Sequence, residues 1–241
     1  MRAFILAAGL GTRLRPLTDD KPKALVKVAG MTMLERTLHT LSRAGVDSFV
    51  VNIHHYGDKI VDFLKKHNNF GYDITISDER DLLRDTGGAL KHAAPLLKGD
   101  GKFLIHNVDI VSNLDIPWFV GRSLATDAEA ALLVSDRKTS RYLLFNDDDM
   151  LVGWTNVATG EVKTRVEGLQ VDGCKKKAFS GIHMFSDSLL KLMKPYPEKF
   201  SVIDFYLDVC QTHKIEAVEY PSLVIQDLGT PDAVAGFSRK K

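Results

Sequence analysis

One stretch constrains this chain more than any other: Leu6-Ala7-Ala8-Gly9-Leu10-Gly11-Thr12-Arg13-Leu14-Arg15-Pro16-Leu17-Thr18, continued by Pro22-Lys23-Ala24-Leu25. It follows the apolar run Ala3-Phe4-Ile5-Leu6, which reads as a buried first strand. Small residues at Ala8, Gly9 and Gly11 let a backbone approach a ligand closely, and successive N–H groups in such a loop form an anion-binding concavity. Arg13 adds a planar fork suited to phosphate oxygens, and Lys23 adds a mobile point charge in a solvated loop. Pro16 and Pro22 restrict the chain between the cations and lower the entropy cost of closing the loop. The stretch therefore reads as a phosphate cradle at the end of a first strand, built from Leu6, Ala8, Gly9, Gly11, Thr12, Arg13 and Lys23.

Other phosphate motifs do not fit these letters. The dinucleotide fingerprint G-x-G-x-x-G needs a third glycine where this chain has Arg15, and the prolines break the helix it expects. That mismatch disfavours a dinucleotide-dependent oxidoreductase. The Walker sequence is absent. A formal net charge of +1 implies no general polyanion-binding surface, so no nucleic-acid partner is expected and attraction for anions must be local. Cys174 and Cys210 are the only cysteines, too few and too isolated for a disulfide framework or a metal knuckle. The N-terminal apolar run is too short for a signal segment or a membrane span. A cytoplasmic protein with free thiols and no membrane partner is expected.

Along the chain, Thr32-Met33-Leu34-Glu35 matches a capping box, and Met33, Leu34, Leu38 and Leu41 recur at helical spacing until Gly45. Ser48 to Ile53 reads as a strand, Asp58 to His67 as a helix and Tyr72 to Ser77 as a strand. This β-α-β-α-β order predicts an α/β fold with a doubly wound, mostly parallel central sheet. Thr86-Gly87-Gly88 opens a helix running to about Leu97, and its N-terminus can present N–H groups to a ligand. Asp109 lies just beyond the strand Phe103 to His106, where a carboxylate is well placed to hold Mg²⁺ over phosphates. From Asp115 to Thr126 a helix carries Trp118, Phe119 and Leu124, expected as core and groove wall. Tyr142 to Phe145 and Met150 to Trp154 flank the acidic turn Asn146-Asp147-Asp148-Asp149, a small antiparallel insertion. Asn156 to Lys177 has only a weak pattern, Phe179 to Phe185 alternates like a strand, and Ser201 caps a late helix from Val202 to His213.

The first loop resembles the signature of sugar-1-phosphate nucleotidyltransferases, G-x-G-T-R-x-x-P-x-T followed by P-K-x-L, and weaker likeness continues to the end of the chain. The resemblance implies a Rossmann-like, GT-A-like nucleotidyltransferase fold and one domain over 1–241, without the β-helix domain of longer relatives. It implies a reaction of a nucleoside triphosphate with a sugar 1-phosphate that gives a nucleotide-sugar and pyrophosphate, with Mg²⁺ as cofactor. By the same likeness Arg13, Lys23 and Asp109 would be catalytic, and the loop residues together with Thr86, Gly87 and Gly88 would bind the nucleotide. The closing Asp227-Leu228-Gly229-Thr230-Pro231 resembles the family's Asp-x-Gly-Thr-Pro, which makes Asp227 the second metal carboxylate beside Asp109. Ser180 and Gly181 resemble the strand against which the sugar lies. The chain departs from the family in having Val108 before Asp109 and in lacking the Glu-Lys-Pro that contacts the sugar; Glu167 is a candidate substitute.

Short length, the missing Glu-Lys-Pro and Phe-Ser-Gly-Ile look most like N-acetylmuramate 1-phosphate uridylyltransferases of the cell wall, with UTP as donor. Mannose-1-phosphate guanylyltransferases and glucose-1-phosphate thymidylyl- or cytidylyltransferases are the rivals. A non-catalytic nucleotide-sugar-sensing subunit is the reading from another class. The letters leave the oligomeric state open.

Overall fold

The strands alternate in a way that sends each face of the sheet to a different layer of helices. In the computed structural model, which describes residues 1–99 and 101–239, β1 (Arg2–Leu6) turns Ala3 and Ile5 to one core and Phe4 to the other. The short β2 (Lys27–Val28) and β3 (Met31–Thr32) lead into α1 (Met33–Arg43). The capping box forms as read: the Thr32 side chain accepts from Glu35 N–H at 3.2 Å, and Glu35 accepts from Thr32 N–H at 3.4 Å. Then come β4 (Ser48–Ile53), α2 (Gly57–Lys66), β5 (Asp73–Asp78), α3 (Asp85–Leu97), β6 (Lys102–Asn107) and β7 (Ile110–Ser112). The second half holds α4 (Ile116–Leu124), β8 (Ala130–Ser135), β9 (Arg141–Phe145), β10 (Leu151–Asn156), β11 (Glu161–Lys163), β12 (Lys175–Ser186), α5 (Val202–Val209), β13 (Ile215–Glu219), β14 (Ile225–Asp227) and α6 (Pro231–Arg239).

Strands β6, β1, β4 and β5 lie side by side and parallel, with Phe4 opposite both Val50 and Ile105. Antiparallel β12 continues the sheet beyond β6 and branches to β8 with β13, and to the ribbon β9-β10-β11. Helices α1, α2, α4 and α6 cover one face through Leu34, Ile60, Phe119 and Val234, and α3 and α5 cover the other through Leu90 and Phe205. This is the doubly wound α/β sheet with an antiparallel insertion that the element order predicts. Its switch point lies between β1 and β6, so the crevice at their carboxyl ends is where ligands collect in such sheets. Among the described residues no helix is long and apolar enough to cross a membrane.

Three local expectations change. Strand β12 begins at Lys175, inside the stretch that reads as patternless, because Lys175, Lys176 and Lys177 are paired with Asp149, Asp172 and Asp136. Trp118 and Leu124 are exposed rather than core: the stripe of α4 runs through Ile116, Phe119 and Ser123, which leaves Trp118 edge-on to Tyr220 at the surface. The late helix α5 stops at Val209, with Ser201 capping it as expected.

Two buried histidines give the sheet a pH-dependent cost. Burial lowers the pKa of His106 to about 4 and of His183 to about 3, whereas both titrate normally once unfolded. The unfolded chain therefore binds more protons below pH 6.5, so this stability is present above that value and lost as pH falls. Each ring is expected to cost about 2 kcal/mol between pH 7 and pH 5. Denaturant unfolding of His183→Asn should then show a fall smaller than that of the parent by about that amount. An identical fall in the two proteins would contradict the assignment.

Candidate active site

The loop after β1 is shaped from both ends. Ala7 and Ala8 N–H donate to the Asn52 side-chain oxygen at 2.6 and 3.1 Å, which pins the loop to β4. Gly11 adopts φ +65°, a backbone that favours glycine, and its carbonyl accepts from the Thr18 hydroxyl at 2.8 Å. The N–H groups of Gly9, Leu10 and Gly11 have no acceptor among the described residues. Lys23 follows Pro22 into a single helical turn, and its ammonium lies over Gly9. The loop thus leaves the N–H groups of Gly9 to Gly11 open, while those of Ala7 and Ala8 brace it against β4.

Lys23 is less solvated than the sequence suggests. Its side chain is 17% exposed, and Nζ pairs with Asp109 Oδ2 at 2.7 Å. Asp109 is itself 5% exposed. The antiparallel pair β7-β14 sets Asp227 opposite Ile110, and Leu228 N–H donates to the Asp109 carbonyl at 2.9 Å. Two carboxylates that lie far apart in sequence therefore share one wall. Asp227 Oδ1 accepts from Gly229 N–H at 2.8 Å, and the Arg13 guanidinium packs against Gly229, where any Cβ would overlap it. Arg13, Lys23, Asp109 and Asp227 all line one cavity of about 450 Å³ at the switch point. Among the described residues no group of three acidic, histidine or cysteine side chains could hold a metal by itself. Two carboxylates are nevertheless the usual protein share for Mg²⁺, which takes its remaining ligands from phosphates and water, so Asp109 and Asp227 fit such an ion.

The inner wall carries groups that sequence reasoning missed. Glu79 is 0% exposed and accepts from the Asn52 amide at 3.0 Å, while its Oε2 has no partner among the described residues. Burial raises the Glu79 pKa, against the Asn52 hydrogen bond. The available signal was a polar Asn inside the apolar run Phe49-Val50-Val51-Asn52-Ile53 and a carboxylate just past β5, both at the ligand end of the sheet.

Thr86 lines the cavity, but the glycines after it do not present their N–H groups to it. Gly87 and Gly88 N–H both donate to the Phe200 carbonyl, at 2.9 and 3.2 Å. A Cβ on Gly87 would overlap the Phe200 ring, and one on Gly88 the Glu198 carbonyl. The glycines are needed here because the 198–200 segment crosses the start of α3 at backbone contact. Gly88→Ala is accordingly expected to cost on the order of 1–3 kcal/mol of stability by overpacking, read as a lower thermal midpoint. An unchanged midpoint would show that the segment gives way freely.

Ser180 and Gly181 also sit behind the cavities rather than in their walls. Ser180 is 3% exposed, and Gly181 has φ +73° where the β8–β12 register shifts. A Cβ there would lie 2.6 Å from Asn107 Nδ2, so Gly181 makes room for Asn107, which does face the ligand space. A second cavity of about 680 Å³ meets the first at Leu6, Asp85, Thr86 and Asn107 and extends toward Arg141, Trp154, Lys163 and His183. Glu167 is exposed and lines neither cavity; Glu161 and Lys163 from β11 reach the second one instead.

Comparison with known proteins bears on this arrangement. A family model described as nucleotidyl transferase matches residues 2–240. An N-acetylmuramate alpha-1-phosphate uridylyltransferase of Caulobacter vibrioides is 39% identical over 169 residues, covering 69% of this chain and 66% of that protein. A mannose-1-phosphate guanyltransferase of Schizosaccharomyces pombe is 28% identical over 204 residues, covering 82% of this chain and 53% of that protein. The matches thus span less than two thirds of these relatives' own lengths. HddC from Yersinia pseudotuberculosis, solved with GMP-PN, shares the fold at TM-score 0.76 with 23% identity, over 99% of this chain and 98% of that one.

Proposed function

Because the chain belongs to the nucleotidyl transferase family, we propose that it transfers a nucleotidyl group from a nucleoside triphosphate to a sugar 1-phosphate, releasing pyrophosphate. The observation that carries this reading is the convergence of the glycine loop, Arg13, the Lys23–Asp109 pair and Asp227 on one cavity that opens into a second. The first cavity takes the triphosphate and the second the sugar.

Both substrates are anionic and repel each other. The open N–H groups of Gly9 to Gly11, with Arg13 and Lys23, offset that repulsion and meet the charge that develops on pyrophosphate. Lys23, placed over Gly9, aligns the reacting phosphates, while Arg13 acts nearer the leaving group. A sugar phosphate oxygen is already an anionic nucleophile near neutral pH, so in-line attack on the α-phosphorus needs positioning rather than a base. Asp109 and Asp227 would hold Mg²⁺, which supplies further positive charge to the phosphates when bound.

UTP and N-acetylmuramate 1-phosphate are the proposed pair, on the strength of the 39% identity to the Caulobacter enzyme; this would place the protein in the cytoplasm, in cell-wall nucleotide-sugar synthesis. With the Gly87 and Gly88 N–H groups engaged, Glu79, whose buried Oε2 has no partner among the described residues, is a candidate acceptor on the inner wall for a base N–H. A carboxylate also complements the paired N–H donors of guanine, which favours GTP with mannose 1-phosphate as the second reading. Relative kcat/KM for UTP, GTP, CTP and dTTP decides between them. UTP is expected to lead by about tenfold or more, equivalent to about 1.4 kcal/mol, and a lead of that size by GTP or dTTP would displace the uridylyl reading.

A further inference from the structure

The second cavity contains a histidine whose proton position is set by its surroundings. His183 lies on β12, is 1% exposed, and meets the Phe179 ring edge-on at 5.3 Å. Its Nδ1 is 2.6 Å from the Tyr206 hydroxyl on α5. Tyr206 is fully buried, and burial raises its pKa well above the ordinary value, so the hydroxyl keeps its proton. That hydroxyl has no other partner among the described residues. If Nδ1 were the donor, the buried tyrosine proton would have no acceptor, an arrangement that folded proteins avoid. Tyr206 therefore donates to Nδ1, and the ring proton sits on Nε2.

Nε2 has no acceptor in the protein among the described residues, and His183 is one of the residues lining the second cavity. Burial, with His106 nearby, keeps the ring neutral. The result is an uncharged N–H donor on a residue that lines a space walled by Leu143, Trp154 and Phe179. One face of Trp154 is occupied by the Lys163 ammonium, 5.4 Å from the ring centroid, which stiffens that wall. Arg13 and Lys23 are absent from this lining, whose own cations are Arg137, Arg141 and Lys163. A donor beside aromatic carbon suits a sugar ring, which offers C–H faces and acceptor oxygens together, and the cations of the same lining suit the phosphate the sugar carries.

We infer that His183 is a specificity-determining residue, whose Nε2–H donates to an acceptor oxygen on the sugar portion of the sugar 1-phosphate while Tyr206 holds the ring in that tautomer. This rests on the transferase reading above. A site built around a buried donor rejects analogues that lack the acceptor, because the donor is then left unpaired.

Two substitutions separate the roles of the two ring nitrogens. His183→Asn places an amide oxygen where Nδ1 was and keeps an acceptor for Tyr206, but presents nothing at the Nε2 position. His183→Gln carries an amide N–H to about the Nε2 position. Steady-state kinetics with each substrate varied in turn are expected to show kcat/KM for the sugar 1-phosphate lower by about tenfold or more in His183→Asn. The KM for the triphosphate should stay within about twofold, and His183→Gln should recover part of the loss. In a set of sugar 1-phosphates each missing one hydroxyl or the acetamido group, one analogue should lose as much with the parent enzyme and nothing further with His183→Asn. A His183→Asn enzyme with parental kcat/KM for the sugar 1-phosphate, or a loss shared equally by both substrates, overturns the inference alone. Failure of the parent protein to turn over any triphosphate and sugar 1-phosphate pair overturns the transferase reading, and the inference with it.

Discussion

Lys23→Ala is expected to lower kcat by about 10²–10³-fold, since removing one positioned donor from a water-poor site has effects of that order. The ammonium lies over Gly9 at the open face of the cradle, with a side chain only 17% exposed, so its charge is weakly screened. Lys23→Arg should rescue poorly, because a planar fork does not fill the place of a compact ammonium. A second effect follows from the pair with Asp109. The substitution leaves a carboxylate that is 5% exposed without its partner, so stability should drop by on the order of 1–3 kcal/mol, read as a lower thermal midpoint. A lysine in an open loop would show no such fall. Steady-state assays well below the lowered midpoint separate the two effects. Parental kcat in Lys23→Ala with every active pair would remove the loop from the catalytic centre.

Asp109→Asn and Asp227→Asn are expected to lose activity on the same scale, roughly 10²-fold or more at saturating Mg²⁺. The two carboxylates share a wall because β7 and β14 pair, and each substitution keeps the size of the side chain while removing its charge. They should differ in stability. Asp109→Asn breaks the pair with Lys23, whereas Asp227 is exposed and its Oδ1 hydrogen bond from Gly229 N–H can persist with an amide oxygen. The midpoint should therefore fall in Asp109→Asn and change little in Asp227→Asn. Near-parental turnover in either variant would take that residue out of the metal assignment.

The parts of this arrangement that were legible in the sequence are the local ones. A capping box, a glycine loop after an apolar run and alternating strand and helix patterns each specify structure within a few residues, and Thr32, Gly11 and β1 behave as their neighbours dictate. Lys23 was legible as a cation in the right loop, but not as half of a partly buried pair, because Asp109 lies 86 residues away. The same distance problem hid Asn52 and Glu79, whose hydrogen bond joins the ends of two parallel strands. Gly87 and Gly88 show the opposite error. A small residue at a helix start can face a ligand or another part of the chain, and the letters do not distinguish these; here the 198–200 segment takes the space. Gly181 likewise makes room for Asn107.

If this protein joins a nucleoside triphosphate to a sugar 1-phosphate, pyrophosphate leaves only when both are present. Continuous measurement of pyrophosphate release, with UTP, GTP, CTP and dTTP each set against several sugar 1-phosphates in Mg²⁺ buffer, tests it directly. Release is expected to require both substrates, to be matched mole for mole by a nucleotide-sugar, and to be fastest with UTP. Release without a sugar 1-phosphate, or no release from any pair by the folded protein, would contradict it.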